Sequence, residues 1–219
     1  MALPLRTATE TWVFDLDNTL YPASCRLFDQ IEAKMRDYIR QHLGIDDEAA
    51  SALKTRLFQR HGTTMKGLMQ DHGVDPHQFL RFVHDIDLAP LDAAPDLGAA
   101  LAGLPGRKVI FTNGSVEHAE RVLARLGIAG HFDGIFDIVA AGYVPKPEIG
   151  PYHAMAAALK VDPRRAVMVE DMARNLKPAA ELGMTTVWVP GGTDWGAEGQ
   201  GDHIHHVVDD LAAFLHGLD

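Results

Sequence analysis

The sequence has a single cysteine, Cys25, so no disulfide can form within the chain, and the expected setting is a reducing compartment. No apolar run reaches membrane-spanning length, and the first residues lack the long apolar stretch of an export signal. Positive charge is scarce: 20 Lys and Arg face 30 Asp and Glu, for a formal charge of −10 and a pI near 5.6. That balance argues against a grip on nucleic-acid polymers or anionic membranes, which requires basic surface. It leaves a small phosphorylated molecule open as a partner, because a metal and a few local cations suffice for one phosphate. Internal repeats and low-complexity tracts are also missing. What is present is 219 residues with 47% hydrophobic content, enough for a proper core and a small second domain. The expectation is a cytoplasmic protein, monomer or homodimer.

The organisation is uneven along the chain. The apolar run Thr11-Trp12-Val13-Phe14 reads as a buried strand, after which the pattern turns helical for a long stretch. In the segment from Leu27 to Leu43, Ile31, Met35, Tyr38 and Ile39 recur at helical spacing. A second helix is expected from Asp47 to Arg60, a third between Gly62 and Gly73, and a fourth from Pro76 to about Asp85. From Asp92 onward helices and β-rich runs alternate. Strands are expected at Lys108–Thr112, Ile135–Ala140, Ala166–Val169 and Thr185–Val189. The helices between and after them are expected at Pro95–Leu104, Val116–Leu126, Ile149–Leu159, Leu176–Leu182 and Asp209–Leu218. This alternation predicts a doubly wound, Rossmann-like parallel α/β sheet with an inserted all-helical cap. The boundaries implied are 1–20 with 91–219 for the core, and 21–90 for the cap.

In such sheets ligands bind at the carboxyl ends of the strands. That is where the chemically unusual residues fall. Asp15 and Asp17 end the first strand, two like charges that cost stability unless something positive lies between them. Magnesium, a hard cation that takes oxygen ligands, would resolve the conflict. Thr112, Asn113 and Gly114 follow the next strand and lead into a helix, a setting suited to holding phosphate oxygens. An ordinary N-cap by Ser115 explains the same loop and can hold at the same time. Lys146 is flanked by Pro145 and Pro147, which fix its backbone so that it can pair with Asp15 and a phosphate. Glu170 and Asp171 end a later strand, with Asn175 a helical turn beyond. Asp171 is the preferred direct metal ligand, Glu170 a ligand directly or through water, and Asn175 a support for the metal or for Lys146.

Together these four clusters resemble the haloacid dehalogenase superfamily of phosphohydrolases, across the whole chain. Asp15-Leu16-Asp17-Asn18-Thr19 is similar to the family's first motif and Thr112-Asn113-Gly114 to its second. Lys146-Pro147 is similar to the third, and Glu170-Asp171 with Asn175 to the fourth. The resemblance implies that Asp15 is the nucleophile and that Asp17 is the general acid, its backbone carbonyl also binding Mg2+. It further implies that Thr112 and Lys146 hold the phosphoryl group while Asp171 completes the metal site. The segment after Asp17 then resembles a mobile cap. Tyr21-Pro22, His61-Gly62-Thr63-Thr64 with Gly67-Leu68, and Val83-His84-Asp85-Ile86-Asp87 are similar to the pyrimidine 5'-nucleotidase branch. That branch implies hydrolysis of a nucleoside monophosphate. Phosphoglycolate or a sugar phosphate, carbon–halogen hydrolysis, and an idle binding module remain as other readings. Asp17 argues against the halide, whose departure needs no proton.

Other residues carry two readings. Thr63, Thr64 and Met65 either line the cap side of a substrate pocket or simply connect and pack helices. His84 and Asp85 either face the site or end a helix, and Cys25 is expected to be a half-buried, inert thiol. His203, His205 and His206 are expected to be solvated rather than zinc-binding, for want of a further ligand at suitable spacing. The Gly191–Gly201 loop is expected to be mobile, with Trp195 covering apolar surface or a subunit contact.

Overall fold

The computed structural model describes residues 5–191 and 196–218. After one helical turn, α1 (Leu5–Ala8), the chain enters β1 (Thr11–Phe14), buried along its whole length. Four helices follow: α2 (Leu27–Leu43), α3 (Asp47–His61), α4 (Thr64–His72) and α5 (Pro76–Val83). Helix and strand then alternate through α6 (Pro95–Gly103), β2 (Arg107–Phe111), α7 (Val116–Leu126), β3 (Gly134–Phe136), α8 (Ile149–Ala158), β4 (Ala166–Glu170), α9 (Ala173–Glu181) and β5 (Thr185–Trp188). A two-residue β6 (His206–Val207) and α10 (Leu211–His216) complete the described fold.

The strands form one sheet in the order β3-β2-β1-β4-β5-β6, with every neighbouring pair parallel. Strand side chains alternate between its faces. Trp12, Phe14, Ile110, Val167 and Val169 join one core with residues of α6, α7 and α10. Val13, Val109, Phe111 and Met168 join another with residues of α8 and α9. Apolar side chains on both faces explain why these strands read as continuous hydrophobic runs. With β2 on one side of β1 and β4 on the other, the chain winds away in both directions from the first strand. A crevice therefore opens beyond the carboxyl end of β1.

The helices α2–α5 are punctuated by their own caps. The side chains of Asp46, Thr63 and Asp75 accept backbone N–H bonds at the starts of α3, α4 and α5. Gly44, Gly62 and Gly73 close α2, α3 and α4 in the left-handed region, where a Cβ would be strained. The segment after α5 returns to the core under two arginines of α7. Arg121 donates to the carbonyls of His84 and Ile86 at 2.8 and 3.0 Å, and Arg125 donates to those of Leu88 and Ala89.

Four expectations change. The strand expected at Ile135–Ala140 stops at Phe136, because the Asp137 carboxylate takes the N–H groups of Val116 and Ala140 and turns the chain. The helix expected from Leu176 already begins at Ala173 and carries Pro178 in its interior. The final helix is shorter than Asp209–Leu218, starting at Leu211 behind the Asp210 cap. His205 and His206 lie not in open loop but at β6, where Val187 pairs with His206. The His205 Nδ1 bonds to the Thr186 N–H at 3.0 Å, and the His203 Nε2 lies 3.0 Å from the Ala173 carbonyl. His205 and His206 are exposed, in keeping with the solvated reading, and His203 is half-buried, while the bonds of His203 and His205 also tie the chain to its neighbours. Trp195 lies outside the described residues.

Close packing inside the helical segment gives a test. A Cβ on Gly67 would stand 2.8 Å from the Leu57 Cβ, so α4 crosses α3 at a distance only glycine allows. Gly67→Ala is expected to cost about 1–3 kcal/mol, read as a lower urea midpoint at unchanged slope.

Candidate active site

The first strand delivers Asp15 to the crevice because its N–H continues the ladder, donating to the Val169 carbonyl at 2.9 Å. Glu170 ends the neighbouring strand and Asp171 follows it, so three carboxylates meet at the sheet's edge. Asp15, Glu170 and Asp171 each offer an oxygen within 4.8 Å of the others, and all three are buried. Lys146 enters from the loop before α8. Its Nζ donates to Asp15 Oδ1 at 2.7 Å, to Glu170 Oε2 at 2.6 Å and to the Phe111 carbonyl at 2.9 Å. Burial works against the lysine's charge, but the two carboxylates outweigh it and raise its pKa above the ordinary value.

Three carboxylates against one ammonium leave the group short of positive charge. Burial, then the Glu170 charge, push the Asp15 pKa up. Burial, then Glu170 and Asp15, do the same to Asp171. A divalent cation would restore the balance, and an all-oxygen donor set suits a hard ion such as magnesium. The Asn175 Oδ1, buried and without a hydrogen-bond partner, adds an orphaned oxygen on the adjoining helix. The residues fit the ion. Both Glu170 oxygens are already engaged, Oε2 by Lys146 and Oε1 by the Met172 N–H at 3.3 Å, which makes Glu170 the anchor of the lysine.

The second loop is braced from within and from the third. The Gly114 N–H donates to Thr112 Oγ1 at 2.9 Å, so that group is used inside the loop. Asn113 exchanges bonds with the Lys146 backbone, accepting its N–H at 2.9 Å and donating to its carbonyl at 3.4 Å. Its amide thus ties the loops together. Thr19 steadies the loop after β1, its hydroxyl donating to Asp15 Oδ2 at 3.0 Å.

Asp17 stands apart from the carboxylate cluster. Its Oδ1 accepts from the Tyr21 hydroxyl at 2.6 Å and from His118 Nε2 at 2.8 Å. Burial alone would raise the Asp17 pKa, but His118 and then Tyr21 outweigh it and bring it down to about 2. His84 stacks on His118 with ring centroids 4.4 Å apart, and burial, then His118, lower its pKa to about 3. Asp85, in contrast, is exposed and lies 3.7 Å from Lys34. Tyr21 enters the sequence reading only through the branch resemblance, with no role assigned, and His118 does not enter it. The available signal was a histidine in the first turn of α7, where the helix dipole disfavours a cation.

These groups floor a cleft of about 380 Å³ between the sheet edge and the helices α2–α5. Thr112, Asn113, Gly114, Lys146 and Asn175 reach it from the core side, Thr63, Thr64 and Met65 from the other. Thr63 also caps α4, its hydroxyl accepting the Lys66 N–H, and Thr64 is buried. Cys25 is half-buried and plays no part in the cleft lining.

The lysine's role can be measured. Lys146→Met leaves Asp15 and Glu170 facing each other without a cation, raising the folded-state pKa of Asp15 further above its unfolded value. Stability lost in this way grows as pH climbs through that window. The metal-free variant is expected to lose about 3 kcal/mol or more, with a wider melting deficit at pH 8 than at pH 5.5. A deficit independent of pH would contradict this electrostatic role.

Comparison with known proteins identifies the family. A family model for haloacid dehalogenase-like hydrolases matches residues 9–183. Phosphate metabolism protein 8 of Saccharomyces cerevisiae is 33% identical over 140 residues, covering 58% of this chain and 43% of that protein. Enolase-phosphatase E1 of Sorangium cellulosum is 32% identical over 154 residues, covering 65% and 60% respectively. The chain therefore spans less than two thirds of the length of these relatives. A HAD phosphatase from Thermococcus onnurineus superposes with a TM-score of 0.60 at 19% identity, covering 94% of this chain and 96% of that one. A 2-haloacid dehalogenase from Pseudomonas syringae gives 0.58 at 22% identity, covering 94% and 96%. At these identities the superpositions speak for the fold alone. With the family match extending from before the first strand to beyond the fourth, the chain belongs to the haloacid dehalogenase-like hydrolases.

Proposed function

We propose that the protein is a magnesium-dependent phosphate-monoester hydrolase working through an aspartyl-phosphate on Asp15. The observation that carries this reading is the convergence of three buried carboxylates on one lysine at the floor of a cleft. Asp15 attacks phosphorus, the bond to the ester oxygen breaks, and Asp17 gives that oxygen its proton. Water then attacks the phosphoryl group, passing a proton to Asp17, and the bond to Asp15 breaks to release inorganic phosphate. Dividing the displacement this way is the usual advantage of covalent catalysis. Lys146 and Thr112 hold the phosphoryl oxygens as charge redistributes, and Asp171 and the backbone carbonyl of Asp17 would join Asp15 in holding the ion. A bound magnesium ion supplies charge neutralisation for the transferring group.

For substrate, we read a nucleoside 5'-monophosphate with a pyrimidine base. The cleft wall opposite the carboxylates is largely apolar, with Phe28, Met35, Phe58 and Phe79 among its side chains. Phe58 is exposed there and carries the Arg174 guanidinium over its ring at 5.2 Å, a flat surface with a cation beside it. A base suits such a wall better than the hydroxyls of a sugar phosphate or the carboxylate of phosphoglycolate. Residues 21–90 act as a cap that closes over the substrate, on a core of residues 1–20 and 91–219. Asp17 favours this chemistry over carbon–halogen hydrolysis.

Phosphate release from nucleoside monophosphates, phosphoglycolate and sugar phosphates, with and without magnesium, tests the reading, with 2-chloropropionate as a halide control. Magnesium-dependent turnover fastest with pyrimidine nucleotides is expected. Asp15→Asn is expected to abolish turnover and phosphoenzyme while leaving the melting temperature nearly unchanged. A phosphoenzyme trapped on Asp17, or halide release in place of phosphate release, would overturn the assignment. Because the ion takes up deprotonated carboxylates, added magnesium should raise the melting temperature more at pH 8 than at pH 5.5.

A further inference from the structure

We propose that Tyr21 and His118 are positioning residues that hold Asp17 by one oxygen and so decide which oxygen exchanges a proton with the substrate. The inference rests on the hydrolase reading above and concerns residues that reading leaves without a task. Both donors address the same atom, Oδ1, from different elements. Tyr21 lies four residues beyond Asp17 in the same loop, whereas His118 comes from α7, 101 positions away. The other oxygen, Oδ2, lies on the side of the second loop, 3.7 Å from where a Cβ on Gly114 would stand. The same Cβ would meet Thr112 Oγ1 and His118 Cδ2 at 3.3 Å each, so Oδ2 lies beside Gly114 of the loop read as holding the phosphoryl group.

The arrangement is built to last through the reaction. A carboxylate oxygen and a carboxyl carbonyl oxygen can each accept two hydrogen bonds. Oδ1 therefore keeps Tyr21 and His118 whether or not Asp17 carries a proton, and the proton is confined to Oδ2. The two donors are themselves fixed. Tyr21 and His118 are 3% and 1% exposed, too enclosed for their rings to turn away freely. His84, arriving from the end of α5, stacks on the His118 ring, and its Nδ1 lies 3.1 Å from Ser115 Oγ. That hydroxyl also accepts the His118 N–H at 3.3 Å, so the cap of α7 sets both the backbone and the ring of this histidine. Packing alone does not require two buried polar groups to converge on one oxygen of Asp17.

Leaving-group dependence separates positioning from mere support. An alkyl phosphate needs a proton delivered to its departing oxygen, whereas 2,4-dinitrophenyl phosphate releases a stable phenolate without one. kcat/KM reports the step in which that oxygen leaves. Tyr21→Phe and His118→Ala are expected to lower kcat/KM for a nucleoside monophosphate by about 10-fold or more. The same variants should stay within about 2-fold of the unmodified protein on 2,4-dinitrophenyl phosphate. His118→Gln, which can present an N–H near the position of Nε2, should recover much of the loss. Tyr21→Phe removes only a hydroxyl, so it keeps the test open should His118→Ala fail to fold. Equal losses on both esters, or no loss on the alkyl ester, would overturn the proposal while leaving the hydrolase reading intact. Absence of turnover of any phosphate ester by the unmodified protein would remove that reading, and this inference with it.

Discussion

The ammonium of Lys146 sits between two carboxylates at hydrogen-bond distance, almost wholly removed from water, and the rest of the site is arranged around that contact. A buried ion pair is weak support for a fold, since desolvation consumes much of the Coulomb gain. Its persistence here is better understood as spacing. Lys146 keeps Asp15 and Glu170 close without letting their repulsion force either out of the cleft, and it leaves Asp171 uncompensated. A further cation would balance the cluster.

That contact depends on topology. Lys146 is 131 residues from Asp15, and Glu170 is 24 residues from Lys146. They meet because β1 lies between β2 and β4 and each strand ends at the same edge. The backbone ladder fixes where Asp15 stops, and the amide of Asn113 fixes where the Lys146 loop begins, so placement comes from hydrogen bonds made by regular or braced backbone. A separate arrangement holds Asp17. Two carboxylates only two residues apart thus have opposite electrostatic surroundings. Burial and like charge raise one; His118, and then the Tyr21 hydroxyl, lower the other. Divergent pKa values in adjacent acids suit a pair with different tasks.

The sequence determined the parallel α/β class and the helical segment after the first strand, because hydrophobic period and strand-end chemistry are local properties. It also indicated which acids and which lysine to watch, since Asp15, Lys146, Glu170 and Asp171 each stand where a strand or a proline-bounded loop ends. Less legible were places where a side chain competes with regular structure. Asp137 cut a strand short by capturing two N–H groups, and His203 and His205 bond to Ala173 and Thr186, a role that composition does not reveal. Only the tertiary structure decided that Asn113 braces the lysine loop, that Glu170 is committed to Lys146, and that Tyr21 and His118 share one oxygen of Asp17. Each of those depends on the direction of a side chain across a gap between elements distant in sequence. Periodicity along the chain carries no information about that direction, because it is set by how the strands are ordered and how the loops are braced.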